Sequence, residues 1–340
     1  MRVKDLLQIF FLLLALVGNA SLSTAATLIN GAGATFPYPL YSKWFDEFSK
    51  GRPDIRFNYQ AIGSGGGIRQ ISERTVDFGA TDAPMTDEQM RKSNVALLHF
   101  PTVLGGVVPT YNLPEVRSEI NFTPHALAGI FLGKITRWND PEIAKANPSM
   151  TLPDKPIAVV HRSDGSGTTY VWVEYLAKVS PQWKEQVGVG TSVKWPVGLG
   201  GKGNEGVTGM IKQIPYAIGY VELIYAERGG LSIGRVQNQT GAFIKADLNS
   251  ITAAGASTKI PQDFRVSLTN APGKASYPIS NFTWLLIPQQ ISDPVKGKAM
   301  VDFLRWMLRE GQTLAPHFTY APLPKEVVQM AETAIVRTYP

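Results

Sequence analysis

Hydrophobic residues along the chain follow two alternating periods. Short runs that alternate or are continuously apolar predict strands, at residues 28–34, 55–62, 76–81, 95–100, 106–111, 156–160 and 217–221. Segments with apolar residues three to four positions apart, or with a helix-capping start, predict helices, at 37–48, from 68, after 86, from 169, at 300–308 and at 325–337. This alternation of strands and helices predicts an α/β fold.

The first apolar run of the chain has a different character. It spans residues 6–17, follows Arg2 and Lys4, and precedes small residues at 23–26. This order is typical of a secretory signal, and the run is too short for a spanning helix, which disfavours a membrane anchor as the alternative. We expect residues 1–25 to be a cleaved signal peptide, with the mature chain beginning near Thr27.

The amino-acid composition limits the possible cellular compartments and classes of protein. The chain contains no cysteine, which excludes disulfides, thiolate metal sites and a lipid-modified cysteine, so we expect a freely soluble periplasmic protein. Its 340 residues, 44% of them hydrophobic, suffice for about two packed domains. The formal net charge of +6 is not gathered into basic runs, so nucleic acid is not an expected partner. No flexible linker separates the two domains, and we expect strands at 106–111 and 278–287 to cross between them.

Four segments place small and hydroxyl-bearing residues where a predicted strand gives way to a helix. They lie at 33–37, 63–67, 79–84 and 162–168. Free backbone N–H groups at such junctions bind anions, and hydroxyls add donors. Each segment alone is as consistent with an ordinary turn or helix cap. Their joint occurrence, at positions where α/β folds hold ligands, predicts an oxyanion receptor.

Three charged residues refine this prediction. Arg162 can clamp an anion with two parallel hydrogen bonds, and Asp164 either holds that guanidinium or caps the following helix. Asp82 either caps the turn before Ala83 or accepts a hydrogen bond from a proton on the anion. Hydrogen phosphate carries such a proton near neutral pH and sulfate does not, so the second role predicts discrimination against sulfate.

The chain resembles the periplasmic phosphate-binding proteins of high-affinity phosphate ABC transporters. The matching segments occur in the family's order, at 31–37, 62–67, 78–84, 135–141, 162–168 and 201–207. The resemblance covers residues 31 to about 225 and continues more loosely to the end. It implies a two-lobed α/β fold of the class II Venus-flytrap type, with extended crossover strands. Lobe I would comprise 27–107 plus 283–340, and lobe II 108–282.

The resemblance also implies a set of phosphate contacts. They are Thr35, the backbone N–H of Phe36, Ser64, Asp82, Arg162, Ser166, the backbone N–H of Gly167, and Thr168. Asp164 would be the partner of the arginine, His161 a packed or surface residue, and segment 201–207 would make no ligand contact. The closed protein would dock on inner-membrane permease subunits. We expect a monomer that uses no cofactor.

Three alternatives remain open. A secreted phosphatase on the same fold is the first, although neither Ser64 nor Ser166 lies in the Gly-x-Ser-x-Gly pattern of a serine hydrolase. The second is a receptor for sulfate, tungstate or molybdate, which Asp82 disfavours. The third is an adhesion or scaffold protein, which no sequence feature supports.

Overall fold

The computed structural model describes residues 26–116 and 118–339. The predicted signal peptide, residues 1–25, lies outside the described residues. No helix in the described ranges combines the length and the apolar character that crossing a bilayer requires.

Strands and helices alternate along most of the chain, as the hydrophobic pattern predicts. The strands are β1 (Thr27–Gly33), β2 (Ile55–Ala61), β3 (Phe78–Thr81), β4 (Leu97–Tyr111), β5 (Asn121–Phe122), β6 (Ala158–Arg162), β7 (Leu199–Gly201), β8 (Ala217–Glu222), β9 (Ser232–Ile233), β10 (Arg235–Gln237), β11 (Phe243–Ile244) and β12 (Ser280–Pro288). The helices are α1 (Tyr38–Gly51), α2 (Ser64–Ser72), α3 (Asp87–Lys92), α4 (Pro124–Phe131), α5 (Pro141–Ala144), α6 (Gly167–Val179), α7 (Pro181–Gln186), α8 (Gly203–Gln213), α9 (Leu223–Gly229), α10 (Leu248–Ala256), α11 (Pro294–Trp306), α12 (Gln312–Leu314) and α13 (Lys325–Thr338). A π-helical turn (Met307–Gly311) joins α11 to α12, and a 3₁₀ turn (Ala315–Phe318) follows.

One sheet runs through both lobes of the molecule. Its strand order is β2-β1-β3-β12-β4-β8-β6-β7, with β9 also paired to β4. We call the part built on β2, β1, β3 and β12 lobe I, and the part built on β8, β6 and β7 lobe II. The first part of β4 pairs with β12 and its last part, from Val107, pairs with β8. Strand β4 therefore carries the sheet from one lobe to the other.

The continuity of β4 corrects the prediction of two separate strands at 95–100 and 106–111. Pro101 lies within β4 at a register shift opposite Thr283 and Trp284, where the missing N–H of proline is tolerated. Gly105 does not end the strand either. A Cβ there would lie 2.6 Å from the ring of Phe36, so the glycine allows that ring to pack directly on the strand.

Helix α1 buries the face that its periodicity predicts. Its buried residues are Leu40, Tyr41, Trp44, Phe45 and Phe48. The Phe45 ring stacks on that of Phe57 in β2, with centroids 4.7 Å apart. The indole of Trp44 donates a hydrogen bond to the carbonyl of Gly311 at 2.8 Å. Lobe I is thus built from both ends of the described chain.

Two helices begin earlier than the sequence predicts, and both belong to glycine-rich segments. Helix α2 begins at Ser64 rather than near Ile68, because Gly67 packs its backbone against β1: a Cβ there would lie 2.5 Å from the Cα of Gly33. Helix α6 begins at Gly167 rather than Thr169, because Ser166 is its N-cap. In both cases the glycines belong to the first helical turn and not to a preceding loop.

Candidate anion-binding site

The predicted site residues converge between the two lobes. Lobe I supplies Thr35 and Phe36 after β1, Ser64 at the start of α2 and Asp82 after β3, while lobe II supplies Arg162 at the end of β6 and Ser166, Gly167 and Thr168 at the start of α6. All eight are buried. A Cβ built on Gly167 would lie 2.4 Å from both the Asp82 carboxylate and the Ser64 hydroxyl. Residues from the two lobes therefore face each other at contact distance.

Direct hydrogen bonds hold the lobes together around this point. The backbone N–H of Gly65 donates to the carbonyl of Gly165 at 2.9 Å. The Tyr225 hydroxyl donates to the carbonyl of Thr35 at 2.5 Å. Because these bonds cross from one lobe to the other, the cleft is in a closed arrangement that separates the site from bulk water.

Arg162 is the positive charge of the site. Its side chain is 1% exposed and forms a two-point pair with Asp164, with Nε–Oδ1 at 2.8 Å and Nη2–Oδ2 at 2.5 Å. The remaining nitrogen, Nη1, is buried and has no hydrogen-bond partner among the described residues. A buried donor without a partner costs about 1–3 kcal/mol. An anion beside Nη1 would remove this cost.

Asp164 takes the first of its two predicted roles. It pairs with Arg162 and accepts a hydrogen bond from the backbone N–H of Gly203 at 3.0 Å, whereas Ser166 caps helix α6 by accepting from the N–H of Thr169 at 3.0 Å. His161 is packed, as expected, with its ring stacked on Trp195 at 4.7 Å between centroids.

Asp82 lies on the opposite wall, in lobe I. Its Oδ1 accepts a hydrogen bond from the Thr283 hydroxyl at 2.7 Å, and its backbone N–H donates to the Ser64 hydroxyl at 3.1 Å. The turn before Pro84 is closed instead by the Thr81 hydroxyl, which accepts from the N–H of Ala83 at 3.0 Å. The alternative that Asp82 merely caps this turn is therefore wrong.

The environment of Asp82 changes its acid strength. Burial raises the pKa of this carboxyl to about 7, against the lowering effects of the Thr283 hydrogen bond and the Arg162 charge. At neutral pH the group lies between its acceptor form, the carboxylate, and its donor form, the acid. The site can therefore change its hydrogen-bonding character within the physiological pH range.

We expect the Asp82→Asn variant to unfold at a higher temperature than the parent protein at pH 8 in the absence of phosphate. The pKa of Asp82 lies above its ordinary value of 3.8 in the folded state, so its contribution to stability is full below pH 4 and is lost as the pH rises through about 7. Asparagine carries no charge at any of these pH values, so the variant does not lose this stability as the pH rises. Thermal unfolding at pH 4, 6 and 8 measures the difference in melting temperature between the variant and the parent protein. This difference should grow from near zero at pH 4 to several degrees at pH 8. An equal difference at all three values would mean that the substitution acts through packing.

Two important side chains escaped the sequence analysis. Thr283 lies in the apolar strand β12, and nothing in its local sequence marks it as a partner of Asp82. Asn204 lies in segment 201–207, which was expected to make no ligand contact, yet its side chain is fully buried and hydrogen-bonds to both Thr35 and Thr168. The signal that could have found it is a polar residue in a glycine-rich turn between a strand and a helix.

Comparisons with known proteins agree with this architecture. The family model for the PBP superfamily domain matches residues 19–310. The phosphate-binding protein PstS of Pasteurella multocida is 47% identical over 321 residues, which cover 94% of this chain and 92% of that protein.

Two solved structures show the same fold at low sequence identity. A high-affinity periplasmic phosphate-binding protein, PfluDING, bound with phosphate, superposes with a TM-score of 0.75 at 20% identity, over 90% of this chain and 93% of that one. An ABC-type phosphate transport receptor from Vibrio cholerae superposes with a TM-score of 0.57 at 18% identity, over 87% and 100%. By fold and by sequence, this chain belongs to the PstS family of phosphate-binding proteins, within the PBP superfamily.

Proposed function

We propose that this protein is an extracytoplasmic receptor that binds inorganic phosphate between its lobes and delivers it to an ABC transporter for import. The observation that carries the proposal is the pairing of a donor and an acceptor across a closed, buried site. Arg162 Nη1 is a charged donor without a protein partner, and Asp82 is an acceptor held on the opposite wall by Thr283. A partly protonated tetrahedral oxyanion needs both. The names of the related proteins support phosphate as that anion.

The proposed contacts are those that the resemblance implies. They are the side chains of Thr35, Ser64, Asp82, Arg162, Ser166 and Thr168 and the backbone N–H groups of Phe36 and Gly167. Hydroxyls and N–H groups share the anion's charge with a single guanidinium. The Ser166 hydroxyl oxygen already accepts from Thr169 N–H, which leaves its proton free for the ligand. The first residues of α6 leave backbone N–H groups without intrahelical partners, which also suits an anion.

Lobe closure is part of the proposal. We place lobe I at residues 27–107 plus 283–340 and lobe II at 108–282, with β4 and β12 as the crossing strands. Their pairing from Ser280 to Pro288 supports a hinge at this level of the sheet. Rotation about the two strands would open the cleft and break the bond between Gly65 and Gly165. The closed form would dock as a monomer on permease subunits in the membrane, after export of the chain to the periplasm by a cleaved signal peptide.

We expect inorganic phosphate to bind in one-to-one stoichiometry at pH 8 and sulfate to bind too weakly at that pH to give a saturable binding heat. The measurement is calorimetric titration of residues 27–340 after bound anion has been removed by partial unfolding and dialysis. Sulfate lacks the proton that the Asp82 carboxylate requires. Binding of sulfate without phosphate would overturn the ligand assignment and leave the lobed fold unaffected. No heat from either anion, with release of phosphate from a model ester, would favour the phosphatase.

A further inference from the structure

We propose that Asn204 is a positioning residue that turns the hydroxyl groups of Thr35 and Thr168 toward the bound anion. The inference rests on the proposed function, because those two hydroxyls are proposed phosphate contacts. Asn204 itself is not proposed to touch the anion. Its role is to decide which way two donors point.

The geometry around Asn204 is that of a bridge between the lobes. Its Nδ2 donates to the Thr35 hydroxyl oxygen at 2.8 Å and to the Thr168 hydroxyl oxygen at 3.2 Å. All three side chains are buried, with Asn204 and Thr168 at 0% exposure and Thr35 at 3%. Thr35 belongs to lobe I, while Asn204 and Thr168 belong to lobe II. One amide nitrogen therefore joins the two lobes directly behind the site.

The orientation of the amide is set by the backbone. The Oδ1 atom of Asn204 accepts a hydrogen bond from the N–H of Glu222 at 3.1 Å. An N–H can only donate, so this contact requires oxygen on that side of the amide and nitrogen on the side of the two threonines. The amide cannot turn over without placing two donors against each other in a buried site.

Hydrogen counting then determines the direction of the threonine protons. An amide nitrogen has two hydrogens, and Asn204 directs one to each hydroxyl oxygen. Each hydroxyl has a single proton, which cannot point back at the amide that donates to it. Both protons are left for acceptors elsewhere, and the anion proposed between the lobes is an acceptor for each. Asn204 thus orients two neutral hydroxyl donors toward the anion. Because Thr35 belongs to the other lobe, Asn204 orients its hydroxyl only when the lobes are closed.

The test is a double-mutant cycle with inorganic phosphate as the probe, measured by equilibrium dialysis and calorimetry. We expect Asn204→Ala to weaken phosphate binding by about tenfold or more, because both hydroxyls lose the bond that orients them. In a Thr35→Val, Thr168→Val background, the same Asn204→Ala change should alter affinity by less than about threefold, because no hydroxyl remains to be oriented.

Asn147 provides the matched control. It is a buried asparagine of lobe II, 2% exposed, whose side chain also bridges backbone groups, at Asn121 and Ile143. Asn147→Ala should lower the melting temperature and leave phosphate affinity within about twofold, since affinity depends on contacts at the site. Asn204→Asp is the second variant, because it keeps the acceptor for Glu222 N–H. Its carboxylate accepts from the threonines instead of donating, so it should bind phosphate more weakly than Asn204→Ala.

The outcomes separate the two proposals. Equal losses from Asn204→Ala in the two backgrounds would overturn the positioning role, as would an effect no larger than that of Asn147→Ala. Asn204→Asp binding better than Asn204→Ala would also overturn it, because shape alone would then matter. If the parent protein does not bind phosphate, the proposed function fails before the cycle begins.

Discussion

Replacing Arg162 with alanine is expected to weaken phosphate binding by about 30-fold to several thousand-fold, with the fold retained. Truncating one member of a buried, hydrogen-bonded charge pair costs about 2–5 kcal/mol, and tenfold in affinity corresponds to about 1.4 kcal/mol. The variant loses the only cation of the proposed contact set. It also leaves two carboxylates, Asp82 and Asp164, facing the site with no positive charge between them, which repels an incoming anion.

The same variant should remain folded because Asp164 is not fully buried. Its side chain is 12% exposed, so water can replace the lost guanidinium, and it keeps its bond from the N–H of Gly203. We expect a lower melting temperature but an unchanged far-ultraviolet circular dichroism spectrum. Calorimetry with phosphate gives the affinity, and the spectrum confirms the fold.

Two further variants make the Arg162 result specific. Arg162→Lys keeps the charge but cannot bind Asp164 and the anion through separate nitrogens of one planar group, so its affinity should lie between those of the parent and the alanine variant. Arg137→Ala removes an arginine that pairs with Asp154 at the surface, with side-chain exposures of 50% and 67%. It should bind like the parent protein. Unchanged affinity in Arg162→Ala would remove this residue from the site.

Local periodicity was sufficient to predict most of the elements around the site. The buried face of α1 and the strands β1 and β2 follow from patterns within single segments, which the lobe I core then satisfies. The start of α2 was missed because four of the residues at 63–67 are glycines, which disfavour helices. These glycines are explained by tertiary packing, because Gly67 must lie against Gly33. The continuity of β4 was missed because Pro101 and Gly105 are typical of chain breaks.

The residues of the candidate site also fall into two groups, those whose roles follow from local sequence and those that only the fold brings together. Arg162, Ser166 and Asp164 lie within one short segment, so their roles follow from residue type and spacing. Thr283 lies 201 positions from Asp82, and Asn204 lies 169 positions from Thr35. No local pattern connects such pairs, and only the folded chain brings them together. The pKa of Asp82 belongs to the same class, because it depends on burial by residues from both lobes.

The surroundings of three carboxyls at or near the site shift their pKa values in different directions or to different degrees. Burial disfavours ionisation of Asp164, but the hydrogen bonds and charge of Arg162 keep its pKa below the usual value. Glu222 has no such cation, and burial holds its pKa well above the usual value. Asp164 is therefore charged at neutral pH, whereas Asp82 has a pKa of about 7. The charge of Asp82 changes between pH 6 and 8, and that of Asp164 does not.

This difference makes sulfate binding a test of the role of Asp82. Sulfate carries no proton at any pH used, so a change in its affinity with pH must come from the protein. Above pH 7 the Asp82 carboxylate repels sulfate, and sulfate has no proton that it could donate to the carboxylate in a hydrogen bond. As the pH falls through about 7, the carboxyl gains a proton and becomes a donor. We expect the sulfate association constant to rise about 15-fold between pH 8.5 and 7 and to level off near pH 6.

The Asp82→Asn variant should bind sulfate with the same affinity from pH 5.5 to 8.5, because asparagine offers a donor at every pH. Its affinity for sulfate should rise relative to the parent at pH 8 by more than its affinity for phosphate falls. Competition dialysis with both anions measures the ratio of the sulfate and phosphate affinities.

His161 is the nearby imidazole, and burial lowers its pKa, so a His161→Gln variant should keep the parent's pH dependence. If Asp82→Asn ignores sulfate across this range, selectivity does not reside in the acceptor at Asp82. If the parent's affinity for sulfate stays flat while Asp82→Asn binds it, the carboxyl excludes sulfate but does not gain its proton in this pH range.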